Sequence, residues 1–578
     1  MVEHRLAKAR VASSNLVFRS NYAQIAQLVE QGTENPRVLG SIPSLGTIYE
    51  AVCESAGSFI FYFLINIIPE VCMFDMNRMP IVEALEEYVL QNRISMHVPG
   101  HKGVIYSEPI VKSLFEEVLK RDVTEIEGMD DFHATEGIIA EAQQLAAQLY
   151  GAERTFFLVN GTTSGIMAAV TAVSGDEDSI IAAGNCHSSV TRGMVLSGAK
   201  PIYINPYFDD KSCLFTGLQP ERLEEIFLQN NSIKAVIVTH PSYYGTYSDL
   251  ESICRCAHAH GAVVIADEAH GAQLEFCDFA KIPTALSCGA DISVQSTHKM
   301  LGSMTQSSML HVQGNLIDID KLSYFISLLT STSPSYILMA SLDAVRKEMA
   351  VNGKEKWDEI YNMTSEAADR ISELEGISCL RYFSDNGVLK PIEGSRLILN
   401  ASGCGMSGGE LATELYSEYR IDVEFSDDVY AVALFGVGSL KSDFDALIEA
   451  LREISTKRRG EKICEIKQIS ELIEEISAVG YTMEMSPRKA AMSKHEFTQL
   501  NYAEGMIAAE AVSVYPPGIP LLQPGEKITA EKIIFIESCL DKNLHMHGIR
   551  IRKNGTELIY GLMTAGAEER DSIFNIMI

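Results

Sequence analysis

Between Thr155 and Ser296 the chain repeats one pattern: a short apolar run, a polar turn, then a segment of helical period. The runs are Thr155–Val159, Ser179–Ala182, Pro201–Ile204, Ala235–Thr239, Ala262–Ala266 and Ile292–Ser296, with helical segments such as Pro220–Gln229 and Leu250–His260 between them. Strands too apolar to face water on either side, joined by helices, predict a mostly parallel sheet with helices on both faces. Ligands of such sheets sit beyond the carboxyl ends of the strands, so the residue that ends each run carries the chemistry.

The first run ends in "NGTTSG". Gly161, Thr162, Thr163 and Ser164 precede a helical run, so amides and hydroxyls converge where the helix dipole favours an anion. No Gly-Lys-Ser/Thr follows, which excludes a Walker loop; plain turn and cap roles fit the same residues. The second run leads into "GNCHSS", where the ring of His187 can stack on a planar ligand or serve the fold alone. The fifth leads into "DEAHGA". Asp267 there can hold a proton on a buried heterocyclic nitrogen or cap a helix. Glu268, His270 and Gly271 follow it.

After the sixth run comes "STHKMLGSMTQSS". Lys299 follows Ser296, Thr297 and His298, 32 residues beyond Asp267. A lysine delivered into an enclosed site loses proton affinity and becomes an amine nucleophile. A phosphate cradle, a flat ring, an acid for a ring nitrogen and an amine are the parts that pyridoxal 5′-phosphate needs when held as a Schiff base. Their order and spacing resemble those of fold type I pyridoxal-phosphate enzymes, built like aspartate aminotransferase.

A narrower resemblance rests on "SMHVPGHKG", "DVTEIEGMDDFHATEGIIAEAQQLAAQLYGAERTFFLVNGTTSG", "DEAHGA", "QSTHKMLGSMTQSSMLH" and "YPPGIPLLQPGEKIT". These segments resemble the signatures of the bacterial ornithine/lysine/arginine decarboxylase family in its short Gram-positive form. The resemblance implies a basic amino acid as substrate, an amine and carbon dioxide as products, and a role in polyamine metabolism. It assigns Lys299 to the Schiff base, Asp267 to the pyridinium nitrogen and His187 to the ring face. Thr162, Thr163 and Ser296 hold the phosphate, with Gly161 and Ser164 in the same cradle. His298 lies beside Schiff base and phosphate, and His270 near the phenolic oxygen. Ser188 stands where a lysine is common and Gln273 where a histidine is common, and both bear on the substrate. It also implies a homodimer or higher homo-oligomer.

Other readings compete. An aminotransferase or a non-catalytic pyridoxal-phosphate-binding paralogue would carry the same cofactor residues. "GCGMSG", Gly403–Gly408, matches a dinucleotide turn with Glu424 downstream, but that spacing is weak alone and fits an ordinary strand-to-helix turn. "CRCAHAH" places Cys254, Cys256, His258 and His260 at a helix end, where residues two apart point apart, so no metal site is expected. Lys102, in a proline-glycine turn, is the rival amine; contact with a ligand or a neighbouring subunit is its expected role. Glu526, Asp427 and Asp428 could meet the cationic end of a substrate, although solvated surface positions are the commoner fate of acids.

The net charge of −30 makes sequence-independent attraction to nucleic acid or anionic membrane unfavourable. The twelve cysteines form no CxxC pair, as in a reduced cytoplasmic protein. The apolar run Phe59–Ile68 is too short to span a bilayer. Residues 1–75 resemble the conceptual translation of a transfer-RNA gene, and the expectation is that translation starts at Met76 or Met79, the leader being a gene-model artefact or a disordered extension. The expected organisation is then a large α/β cofactor domain at 76–375, a small α/β domain at 376–456 with strands at Ser395–Leu399 and Ile421–Phe425, and a C-terminal α+β domain at 463–578. The basic run Ser455–Lys462 reads as a solvated linker. An amphipathic helix from Ile463 to Ile476 opens the last unit.

Overall fold

The computed structural model describes residues 75–103, 108–277, 282–460, 480–514, 519–541, 546–554 and 557–566. The leader up to residue 74, with the Phe59–Ile68 run, and the helix expected at 463–476 lie outside the described residues.

Among these residues a seven-stranded sheet has the order β1-β7-β6-β5-β4-β2-β3. The strands are β1 (Arg154–Leu158), β2 (Ser179–Ala183), β3 (Lys200–Ile204), β4 (Ile233–Thr239), β5 (Val263–Asp267), β6 (Ile292–Gln295) and β7 (Ser308–Val312). Helices α1 (Gly161–Val173), α2 (Ser188–Ser197), α3 (Pro220–Gln229) and α4 (Leu250–Ala259) connect them. All six expected runs are strands, within one or two residues at each end. The seventh strand is a correction: β7 runs antiparallel to both β1 and β6 and separates them.

Period-two alternation explains the two helical layers. Along β4, Ala235 and Ile237 pack with Val170, Val190 and Met194 on one face, whereas Val236 and Val238 pack with Phe227, Leu250 and Ile253 on the other. Both faces are buried, so the strands read as continuous apolar runs. Gly165 lets α1 lie close on the sheet, since a Cβ there would stand 2.5 Å from Leu158 Cδ1 and 2.7 Å from Val294 Cγ1.

Helix α5 (Tyr336–Ser372), N-capped by Ser335, runs on to a four-stranded antiparallel sheet of order β8-β9-β11-β10. Its strands are β8 (Ser378–Leu380), β9 (Arg396–Asn400), β10 (Phe425–Ser426) and β11 (Ala431–Leu434). Strand Ser395–Leu399 is present one residue later. The run Ile421–Phe425 is strand only at its end, while Ile421 and Val423 pack against the core without a ladder. Helix α6 (Gly408–Tyr419) starts in a capping box between Ser407 and Glu410. Gly403 packs on Gly376 and Gly408 on the Tyr430 carbonyl, where a Cβ would stand 2.6 Å and 2.1 Å away. The space at the first and last glycines of "GCGMSG" is therefore filled by the chain's own backbone. Helix α7 (Lys441–Lys457) takes the first three residues of the expected linker, and Ser455 is buried.

The C-terminal residues form two three-stranded sheets and helix α8 (Ala530–Asp541) around Leu500, Val512, Leu522, Ile536 and Leu562. They pack on the large sheet's α2: Thr191 donates to Gln523 Oε1 at 3.0 Å, and Arg488 donates to the Val195 carbonyl at 2.9 Å.

Two buried histidines set a pH dependence. Burial pushes His240 down to about 4 and His311 down to about 3. Their folded values lie below the unfolded one, so the unfolded chain binds more protons in that window and stability falls as pH drops below about 6.5. Glu268, pushed up by burial to about 7, acts in the opposite sense, and the contribution of the two histidines lowers the melting temperature between about pH 6.5 and 4.5. His311→Gln should flatten that slope by up to one proton, about 1.4 kcal/mol per pH unit; an unchanged slope in thermal melts of the variant would count against neutral burial.

Candidate active site

The carboxyl ends of β2, β4, β5 and β6 open into a cavity of about 1280 Å³, walled also by β10 and by C-terminal residues including Tyr481, Gln523 and Lys532. Gly161, Thr162, Thr163, His187, Asp267, His270, Ser296, His298 and Lys299 all line it. The structure thus brings together every residue that the resemblance assigns to the cofactor but one. Ser164 stands outside the wall, its hydroxyl donated to the Gly161 carbonyl at 2.9 Å.

Gly161 opens α1 with φ +74, a left-handed geometry that glycine adopts without strain. Beside it, Thr162 Oγ1 lies 2.7 Å from Ser296 Oγ and donates to Ser308 Oγ at 3.1 Å. Three hydroxyls, from α1, from the residue after β6 and from β7, therefore meet at a helix N-terminus, the arrangement that receives an anion. Ser308 belongs to the antiparallel strand that the sequence reading overlooked.

Asp267 ends β5 and is buried, with one oxygen accepting from the Ala269 amide at 3.2 Å. His187 caps α2. Its Nδ1 accepts from the Ser189 amide at 3.2 Å, which fixes the ring in the wall with a surface still open to the cavity. Enclosure by the walls lowers the basicity of His187, and Asp267 partly restores it.

Lys299 lies on a single helical turn after β6, its Nζ 2.9 Å from His270 Nε2 and 5.1 Å from the centre of the Tyr243 ring. Burial lowers the proton affinity of Lys299, and Arg396 lowers it further; Asp267 and Glu424 pull the other way. The same causes act on His270, which burial and the neighbouring Lys299 and Arg396 hold well below its usual value. An amine next to a neutral imidazole is disposed to attack a carbonyl carbon. His270 Nδ1 is buried without a protein partner among the described residues. His298 Nδ1 is fixed by the Ser307 carbonyl at 2.8 Å.

The departures also have places. Ser188 starts α2 in the wall. Gln273 is buried and donates to the His270 carbonyl at 3.0 Å. Solvated acids are a further correction. Glu526 is 1% exposed and paired with Lys532, itself 3% exposed. Asp427 accepts from the Tyr244 hydroxyl and from the amides of Val429 and Tyr430 at 2.7 and 2.6 Å. Asp428, half-buried, lines the cavity beside it. Lys102 lies apart, exposed, donating to the His97 carbonyl. Of "CRCAHAH", Cys254 is core, Cys256 and His260 turn to Glu224, and His258 turns to Asp291.

Sequence reasoning passed over Tyr243, whose "HPSYYG" segment follows β4 as the other motifs follow their strands. It also passed over Arg396 and Lys532, which look like ordinary surface cations until their buried partners are known.

The chain matches the model of the Orn/Lys/Arg decarboxylase major domain over residues 79–395 and that of the C-terminal domain over 468–558. It is 36% identical to an arginine decarboxylase of Bacillus subtilis over 471 residues, 81% of this chain and 95% of the relative. An arginine decarboxylase of Bacillus anthracis is 35% identical over 81% of this chain and 94% of its own. Lysine decarboxylase A from Pseudomonas aeruginosa shares the fold, with a TM-score of 0.73 at 20% identity, covering 87% of this chain and 83% of that one.

Proposed function

The chain belongs to the Orn/Lys/Arg decarboxylase family and is an amino acid decarboxylase; from that premise we propose that it is pyridoxal-phosphate-dependent and converts a basic L-amino acid, L-arginine first among the candidates, to its amine and carbon dioxide. The single observation that carries the reading is the convergence of Lys299, Asp267, His187 and the hydroxyls of Thr162 and Ser296 on one cavity. Arginine is put first because the relatives that align over most of the chain at about 35% identity are arginine decarboxylases. The amine product would enter polyamine metabolism.

The residues fit the cofactor on their own chemistry. Hydroxyls and amides at the start of α1 suit a phosphate, a buried carboxylate at the end of β5 suits a protonated ring nitrogen, and the orphaned His270 Nδ1 suits a ligand oxygen. When bound, pyridoxal phosphate supplies an electron sink for the pair left at the α-carbon as carbon dioxide departs. Lys299 would hold the cofactor and release it to the incoming amine. Asp267 would keep the proton on the ring nitrogen, and His187 would fix the plane of the ring. Which bond breaks is then a matter of orientation within the walls. Asp427 and Asp428 supply negative charge to the same cavity, as a cationic side chain requires.

Units at 76–375, 376–456 and 463–578, a cytoplasmic location and a homodimer or larger homo-oligomer are parts of the same proposal. Support for self-association comes from the helix Pro109–Leu119, which buries none of its residues and leaves Ile110 and Leu114 72% and 65% exposed. No helix among the described residues is long and apolar enough to cross a membrane.

The deciding experiment incubates cofactor-loaded protein with L-arginine, L-lysine and L-ornithine separately and measures carbon dioxide and amine. Agmatine and carbon dioxide in equal amounts are expected from arginine. Cadaverine or putrescine instead would move the substrate within the proposal, and keto acid without carbon dioxide would replace decarboxylation with transamination.

A further inference from the structure

Arg396 opens β9 with its guanidinium fully buried, yet it does not line the cavity. Every one of its five N–H groups has an acceptor. Nε and one terminal nitrogen donate to Glu393 Oε2 at 2.9 and 2.5 Å. The other terminal nitrogen donates to the carbonyls of Ser242 and Tyr243 at 2.9 and 2.7 Å, and the remaining N–H reaches the His270 carbonyl at 3.5 Å. Glu393, also fully buried, is held in turn by the hydroxyls of Tyr361 and Ser395.

Those three carbonyls belong to the two loops that flank Lys299. Tyr243 follows β4 and His270 follows β5; their rings meet at a centroid distance of 4.5 Å, and both contact the Lys299 amine. The Glu393 amide bonds the Gly245 carbonyl at 3.0 Å, and Gly245 has a φ of +82, with space for a Cβ closed by Ile392, Glu393 and Arg396. The loop after β4 is therefore pressed onto the ion pair from both ends of its turn.

A buried ion pair is weak evidence for stability, because desolvation consumes most of the attraction. Three of its donors, aimed at the carbonyls of two active-site loops, give it another use. We infer that Arg396, locked by Glu393, is a positioning residue for decarboxylation, fixing the Tyr243 and His270 rings that hold the Lys299 amine in place. A planar fork can hold two peptide carbonyls on one nitrogen and a carboxylate on the others; a lysine, a point donor on a flexible stem, cannot hold all of these at once. This rests on the assignment of Lys299 and His270 to the cofactor site.

The test uses Arg396→Lys, which keeps the charge and loses the fork, and Tyr361→Phe, which takes one hydroxyl from Glu393 and leaves no charge unpaired. Full-length protein is loaded with pyridoxal phosphate, the loaded sites are counted from the released cofactor, and kcat and KM are measured per loaded site. Hydrogen exchange of residues 240–246 and 269–271 is followed in cofactor-free protein. For Arg396→Lys the expected result is a kcat lower by roughly 10- to 100-fold per loaded site, the range a displacement of about 1 Å produces, with KM within about threefold and faster exchange confined to the two loops. Where Arg396→Lys gives no cooperative melt, Tyr361→Phe decides, with kcat expected to fall by roughly two- to fivefold with faster exchange in the same loops. A lower melting temperature with wild-type kcat per loaded site and unchanged loop exchange would reduce the pair to a structural role and overturn the inference. Failure of the unaltered protein to hold the cofactor at all would instead overturn the site assignment beneath it.

Discussion

Lys299→Ala is expected to abolish turnover, by roughly 10⁴-fold or more, while the protein folds and still takes up some cofactor. On the proposed assignment, loss of the amine removes the nucleophile that would hold the cofactor and release it to substrate, and no neighbour can replace it: His270, at 2.9 Å, is an imidazole, and Lys532, the other lysine of the wall, is committed to Glu526. The fold should tolerate the change because the amine's close partners are a neutral histidine and an aromatic ring, so no directly bonded ion pair is broken. Cofactor binding should weaken rather than vanish, since the hydroxyls of Thr162 and Ser296 are untouched. Rate and bound cofactor, measured in parallel, check both halves; residual turnover within tenfold of the unaltered protein would move the nucleophile elsewhere.

Asp267→Ala should cost several orders of magnitude with the Lys299 amine still in place. Its carboxylate is buried at the end of β5, where an ion pair at about 4 Å is worth about 4 kcal/mol at an effective dielectric near 20. That corresponds to roughly 10³ in rate if the pairing is felt mainly as charge develops on the ring. The same charge supports the proton affinity of His187 and Lys299, so its removal should make both groups less basic. Single-turnover rates of the loaded variant read the effect free of substrate binding. Near-normal activity would return Asp267 to the role of a turn residue.

The strands and the residues of the cavity wall at their ends were legible for one physical reason: a strand buried on both faces must be apolar along its length, so a polar residue at its end stands out. Asp267, Ser296 and Lys299 were found that way. β7 stayed hidden because Ser308–Val312 follows directly on the polar stretch Thr305–Ser307 with only a single helical turn between it and β6, and nothing local in a sequence says that a strand turns back antiparallel to lie between two others. Ile421–Phe425 misled for the opposite reason, since alternation alone gives burial on one side and does not supply a partner strand. The buried acids and bases were illegible for a deeper reason. Whether Glu526, Asp427 or Arg396 faces water depends on Lys532, Tyr244 and Glu393, and these pairings are made by tertiary contact. Even Glu393, three residues before Arg396, becomes its partner through the turn that starts β9.

Reduction of the loaded protein with borohydride, followed by peptide mass mapping, tests the central claim most directly. The account predicts one pyridoxyl phosphate adduct per chain, on Lys299; an adduct on Lys102 or Lys532 with Lys299 unmodified would contradict it.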